Sequence, residues 1–565
     1  MQFARLVLVP VFLELVAFGQ VIAQERAQAN PAAQERPQAT QTQQPSRATE
    51  PAQTTPRRSE TAPREVFRPS EPGTEERVPG TQPQRGGQAR GPTPTATNVD
   101  ETPIATHHKI EIGGKVLEYT TTVAQMPIKD ASGDTEAHIC FFAYTLDHAD
   151  PATRPLTFCF NGGPGSASIW VHMGCMGPRK AVLRDDGDMP PPPFTIADNP
   201  NTWLDESDLV FIDPVGTGYS RAKTTEIARR LNGVQGDIQS VAEFIRMYIT
   251  RNNRWMSPLF IAGESYGTFR AAGLAGNLIE QGVAVNGVVL ISTILNYGTG
   301  RGGLINNTPY ALVLPTYTAD AWYHKRLPAD LEQQDLKKTL KEVEGWAMTD
   351  YLEALNKGDA LGEDQRAAVI AKLARYTGLS PTYVENSNMR IDSARFFREL
   401  LRDKKLTIGR LDGRLTGPSP LNTGDTAEYD PSSTLPRPPF QAAFMQYLRN
   451  ELEYKTDMNY YVTGGIAPWD WGVENGYVDT TAALRDAFTK NPHLKVMVCA
   501  GYYDLATPYF TAEYTLNHMG IHPETQKQIN WQFYEAGHMM YIEKASHAKL
   551  KRDVSEFIHS AMAKP

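Results

Sequence analysis

The sequence predicts an α/β fold: a mostly parallel sheet covered by helices on both faces, with a mainly helical insertion ahead of its last strands. Three observations lead there. Short runs rich in Val, Ile, Leu and Phe alternate with stretches of helical apolar spacing, the signature of a sheet buried on both sides. One run, Pro258-Leu259-Phe260-Ile261-Ala262, leads into Gly263-Glu264-Ser265-Tyr266-Gly267 and then into helical spacing over 268–281, which reads as strand, tight turn, helix. Finally, the strand pattern lapses after Ser292 and resumes only at 494–499 and 529–534.

From the N-terminus, residues 1–23 carry one early positive charge (Arg5), an apolar stretch over 6–18 and a small-residue exit at Val21-Ile22-Ala23. That is the pattern of a secretory signal peptide cut near Ala23, and it implies a secreted or periplasmic protein. Pro10 and Glu14 interrupt the apolar run, so no stable membrane span is expected after cleavage. Residues 24–98 are a different material. Apart from alanine, their sizeable apolar residues are Val66, Phe67 and Val78, set among Gln, Pro, Thr, Arg and Glu. Such a stretch buries too little surface to offset its ordering entropy and is expected to be a disordered tether. Its ten Arg are mixed with eight Glu, which excludes a basic arm for nucleic acid.

The remainder, residues 99–565, is long enough for a large core and an added subdomain. Ile110-Glu111-Ile112 and the run over 116–123, separated by Gly113-Gly114, suggest an opening hairpin. Strand runs follow at 139–146, 156–160, 209–212, 259–262 and 288–292, with helical spacing between some of them, notably over 237–250. Amphipathic helices are expected over 331–355, 363–376, 392–403 and 440–454, and Ser380-Pro381 is an N-cap followed by an N1 proline. The main domain is therefore placed at 99–296 and 485–565, and the cap insertion at 297–484.

With 41% hydrophobic residues, 21% charged residues and a net charge of −8, the composition is that of a soluble globule and excludes a polyanionic partner such as nucleic acid. Four cysteines make no disulfide framework. Cys140, Cys159 and Cys499 lie in strand runs and are expected to be buried free thiols. No feature indicates a metal or an organic cofactor.

Gly263 to Gly267 reads Gly-x-Ser-x-Gly, and a nucleophilic serine needs such a turn to hold its hydroxyl out towards substrate. The serine needs a base, and the base an acid that fixes its tautomer. In this architecture both follow in chain order, each just after a strand. Asp504 follows the run 494–499 and His538 follows 529–534, so they are the acid and base candidates. His107, His108, His138 and His148 lack that setting. The loop Asn161-Gly162-Gly163-Pro164-Gly165-Ser166 follows a strand, and its glycines let backbone amides approach an oxyanion. It lacks the Gly-Lys-Ser/Thr ending of a phosphate loop, and Gly216-Thr217-Gly218 is too short for a nucleotide site.

Together these motifs resemble the serine carboxypeptidase family of α/β-hydrolases. The resemblance covers about residue 105 to the end and is vaguest in the cap. It rests on Asn161 to Gly165, Gly263 to Gly267 and Gly537-His538-Met539, helped by Asn199-Pro200-Asn201-Thr202-Trp203 and by the segment 213–220. It implies an exported hydrolase that removes C-terminal residues from peptides with a free C-terminus, the alternative being an esterase or acyltransferase on the same scaffold. It implies Ser265 as nucleophile, His538 as base, Asp504 as its orienter, and the amides of Gly163 and Tyr266 as the oxyanion hole. Asn161, Gly162 and Glu264 would bind substrate, with Asn161 and Glu264 on its terminal carboxylate, which requires a shared proton and an acidic optimum. Two positions depart from the family pattern. Ser166 stands where a disulfide-bonded cysteine is common, and Cys175 stands where many members have an acidic residue. Glu264 is thus expected to lack an acidic partner and to have a less raised pKa than a paired site.

Overall fold

The computed structural model describes residues 94–466 and 468–563. The signal-peptide reading and nearly all of the tether fall outside these residues. Pairing begins early in the described chain, where Ala96 N–H donates to the Ala222 carbonyl (3.1 Å).

Nine strands build the central sheet: β1 (Ile104–Ile112), β2 (Lys115–Lys129), β3 (Thr135–Leu146), β4 (Leu156–Phe160), β5 (Asp208–Ile212), β6 (Leu259–Glu264), β7 (Gly287–Ile291), β8 (Lys495–Gly501) and β9 (Ile529–Tyr534). Their spatial order is β1-β2-β3-β5-β4-β6-β7-β8-β9, and the two-residue strand Arg221–Ala222 pairs with β3. From β5 to β9 every pairing is parallel, while β1, β2 and β3 add an antiparallel edge. The expected hairpin is there and longer than its apolar run, because Gly113 and Gly114 take the positive φ that a two-residue turn demands. Strands β4 to β7 are buried at every residue, which explains why they read as unbroken apolar runs.

Helices α1 (Val234–Arg251), α2 (Tyr266–Glu280) and α7 (Thr481–Lys490) pack on one face of the sheet. Helices α6 (Arg437–Asn450) and α8 (Lys544–Met562) share the other face with a π-helical segment, Val171–Met176. On α1 the buried Ile238, Val241, Ala242, Ile245 and Ile249 fall on one stripe, the spacing that marked this helix in the sequence. The fold is that of an α/β-hydrolase.

Between β7 and α7 lies a subdomain with its own core, built on α3 (Thr308–Tyr323), α4 (Leu336–Trp346) and α5 (Glu363–Thr377). The single helix expected over 331–355 is divided: Ala329–Glu332, then α4, a π-helical segment Ala347–Tyr351, and Leu352–Lys357. Ser380 caps Pro381–Asn386 through the Tyr383 amide, as its sequence announced. Helix α3 was not announced. It is buried on all sides from Ala311 to Ala321 and contains Pro315, so it has no polar stripe to reveal it. All four cysteines are buried and free. Among the described residues, no helix is long and apolar enough to cross a membrane.

One buried ion pair fastens these layers. Arg270 on α2, 1% exposed, donates to Asp237 on α1 (2.8 Å) and to the Asn161 carbonyl after β4 (2.8 Å). Removing one member of such a pair leaves a charge without its partner in the core. Arg270→Leu is expected to lower stability by about 3–5 kcal/mol in urea unfolding, and a loss below about 1 kcal/mol would contradict this account.

Candidate active site

The turn after β6 holds Ser265 at φ 61° and ψ −130°, a conformation that side chains rarely adopt. It is fastened from both ends. Ser265 N–H donates to the Ile291 carbonyl of β7 (2.9 Å), and its own carbonyl accepts from the Thr268 amide (2.8 Å) and hydroxyl (2.7 Å). The serine side chain is partly exposed and has no hydrogen-bond partner among the described residues.

At the end of β8, Asp504 is fully buried and saturated with donors. Oδ1 accepts from the amides of Ala506 (2.8 Å) and Thr507 (3.0 Å), while Oδ2 faces the Thr507 hydroxyl (2.6 Å) and His538 Nδ1 (2.7 Å). His538 follows β9 and is 3% exposed. Burial pushes its pKa down, but the charge and hydrogen bond of Asp504, joined by Glu264, outweigh this and raise it. His107, His108 and His138 lie on β1 and β3, at the other end of the sheet from β8 and β9.

The loop after β4 lies against the turn. A Cβ on Gly162 would overlap the amide nitrogens of Tyr266 and Gly267, so this approach is open to glycine alone. Gly163 has φ +104°, and its amide donates to no described group. Tyr266 opens α2, where an N–H has no intrahelical acceptor. Both amides are therefore free for an external oxygen.

Glu264, 3% exposed, accepts from Asn161 Nδ2 (2.9 Å) and from the Tyr541 hydroxyl. Asn161 is oriented in turn by the Val171 amide, which donates to its Oδ1 (3.0 Å). Burial pushes Glu264 up to about 7, against the pull of His538, Tyr541 and Asn161. Cys175 is buried close enough to feel this charge, and burial followed by Glu264 holds its thiol well above the usual range. Cys175 thus supplies no second acid; the donor beside the carboxyl is the Tyr541 hydroxyl, and burial is the main effect that raises the carboxyl.

Sequence reasoning missed Tyr541, which lies three residues beyond His538 with no motif of its own, and it missed the segment 409–415 altogether. That segment joins the hairpin strands Leu406–Ile408 and Thr416–Pro418. Its Leu411 carbonyl accepts the His538 amide (2.6 Å) and its Arg410 carbonyl the Leu505 amide (3.1 Å). Gly413 N–H donates to the Tyr503 carbonyl (2.9 Å). Asp412 Oδ2 accepts the Gly537 amide (3.1 Å), and Arg414 grips Asp412 with Nε (2.9 Å) and Nη2 (2.7 Å) while Nη1 reaches the Glu535 carbonyl (2.7 Å). The insertion thereby laces the Asp504 loop to the His538 loop.

The serine carboxypeptidase family model matches residues 130–551. Among curated proteins, a serine carboxypeptidase-like protein of Arabidopsis thaliana (number 45) is 21% identical over 231 residues, 36% of this chain and 48% of that one. A Caenorhabditis elegans serine carboxypeptidase, ctsa-3.1, is 24% identical over 239 residues, 41% of this chain and 39% of that one. The pheromone-processing carboxypeptidase KEX1 of Uncinocarpus reesii is 31% identical over 143 residues, covering 24% and 19%. The aligned parts thus span about half or less of these relatives' own lengths. With the family model matched from before β3 into α8, across the whole of the site just described, this chain belongs to the serine carboxypeptidase family.

Proposed function

We propose that this protein is an exported serine carboxypeptidase that removes C-terminal residues from peptides through an acyl-enzyme on Ser265. The observation that carries the chemistry is His538 Nδ1 bonded to a buried Asp504 whose other lone pairs are already taken. An acceptor of that kind keeps the proton on Nδ1 and leaves Nε2 as the base. Nε2 takes the Ser265 proton as the serine oxygen adds to the scissile carbonyl carbon. The resulting oxyanion is met by the amides of Gly163 and Tyr266. His538 then protonates the departing amine, the C–N bond breaks, and water repeats the sequence on the ester. Export rests on the leader-like residues 1–23.

The choice of a C-terminal residue rests on Glu264. Kept neutral by burial, it can donate to a substrate carboxylate beside Asn161; ionised, it repels that carboxylate. Because its pKa is raised to about 7, the donor form prevails below that pH and is lost above it. His538 works in the opposite sense, gaining activity as it loses its proton above the usual imidazole value of about 6.5.

Ser265→Ala and His538→Ala are each expected to lower kcat/KM by about four orders of magnitude or more, with the double variant little worse. Turnover within tenfold of wild type by either single variant would remove the assignment. On a free peptide, kcat/KM should fall as pH rises through about 7, and Glu264→Gln should abolish that fall, giving about a tenfold gain at pH 8. The same peptide amidated should be spared at every pH. If it is cleaved as fast as the free form, the reading moves to an esterase or acyltransferase. Asp412→Asn, which weakens the grip of Arg414 and of the Gly537 amide, should slow fluorophosphonate labelling of Ser265 about tenfold while far-UV circular dichroism stays unchanged. Labelling at the wild-type rate would show that the 409–415 segment does not position His538.

A further inference from the structure

Two exposed guanidinium groups sit on segments that border this site, and neither makes an ion pair among the described residues. Arg410 is anchored between the acid and base loops: its carbonyl accepts the Leu505 amide (3.1 Å), and the next carbonyl accepts the His538 amide (2.6 Å). Its side chain is exposed and makes no ion pair or hydrogen bond among the described residues. The nearby Asp430 already accepts from the Arg410 amide (3.1 Å) and from the amide (3.0 Å) and hydroxyl (2.6 Å) of Ser432.

Arg301 comes from the segment between β7 and α3. Its guanidinium lies 5.1 Å from the centre of the Tyr297 ring and 5.5 Å from that of Trp471. Trp471 meets Tyr266, the residue after Ser265, at 6.3 Å, and Tyr297 meets Phe269 of α2 at 5.8 Å. Arg301 therefore rides on an aromatic wall that begins beside the turn. It too is exposed and without an ion pair among the described residues. Both charges act on Tyr297. Burial raises the Tyr297 phenol to about 12 while Arg301 and Arg410 both oppose this, and Arg410 also opposes the proton on His538. In a chain of net charge −8, this is a local attraction for anions, since the overall field repels them.

We infer that the enzyme prefers peptides carrying an acidic side chain in their last two residues, the ones that flank the scissile bond, with Arg410 and Arg301 pairing with that carboxylate. The inference rests on the carboxypeptidase reading. A single exposed ion pair contributes little in water. Two cations on one carboxylate, shielded by the bound peptide on one side and the aromatic wall on the other, are expected to give about a tenfold preference.

The test uses N-acylated dipeptides in matched pairs, with Glu against Gln at each position in turn, on the full chain at pH 7 and low ionic strength. At one position the Glu-to-Gln ratio of kcat/KM should be about ten and should shrink at about 0.5 M salt. It should fall to about one in the Arg301→Gln/Arg410→Gln double variant and survive in part in the Lys counterparts. A ratio of one or less in the wild type, or an unaltered ratio in the double variant, overturns the inference. Calorimetric affinities of the same pairs for Ser265→Ala read the preference without turnover. Hydrolysis with a ratio of one then sinks the charge preference alone, whereas tighter binding of Glu without hydrolysis sinks the peptidase reading alone.

Discussion

The structure depends on how closely three pieces of backbone approach one another at Ser265. Strand β6 enters the turn, α2 leaves it, and the loop after β4 is pressed against both. A Cβ on Gly263 would overlap the Gly267 carbonyl, and one on Gly162 would overlap the first amides of α2. No side chain fits between, so the amides that line the site are set by backbone contact. Holding Ser265 at positive φ costs on the order of 1–3 kcal/mol, which the surroundings must offset. They do so with the Ile291 carbonyl, with Thr268, and with Arg270, which ties α2 to α1 and to the Asn161 carbonyl.

The insertion completes what the turn begins. Segment 409–415 fixes the Asp504 and His538 loops relative to each other. A second segment of the insertion holds the glycine loop: Ala167 N–H donates to the Val462 carbonyl (3.0 Å), and Gly464 N–H to the Gly165 carbonyl (2.9 Å). All three loops of the site are thus bonded to the insertion. A cap that swung away as a rigid lid would break these bonds and release His538 and the glycine loop with it. Ser265 is already partly exposed, so reaching it calls for no such swing.

This division also explains what could be read from the chain. Strands β4 to β8 were legible because burial on both faces writes them as apolar runs, and β4 ends where its run ends. Ser265, Asp504, His538 and the glycine loop were legible because each sits just after a strand, so a local pattern gives its place in the fold. Asp412 and Arg414 follow no long strand and reach the site through residues more than a hundred positions away, so no spacing rule points to them. Helix α3 failed for the opposite reason. Its neighbours bury it all round, and Pro315 looks like a terminator when read locally.

The electrostatics of Glu264 show how one substitution is absorbed. An acid in place of Cys175 would put two carboxyls in one dry pocket, and their mutual repulsion would hold a proton between them. Here the neighbour is a thiol that stays neutral, because burial and the Glu264 charge both oppose its ionisation. The proton on Glu264 is retained chiefly by desolvation, helped by the charge of Asp504, while His538, Tyr541 and Asn161 work against it by stabilising the anion. These effects balance near neutrality. A carboxyl governed by burial responds to whatever enters the pocket: a bound carboxylate removes the remaining water and adds a like charge, and both changes favour the protonated form. A peptide carboxylate bound there, as proposed, would strengthen the donor it requires, and recognition of a C-terminus would then need no second acid.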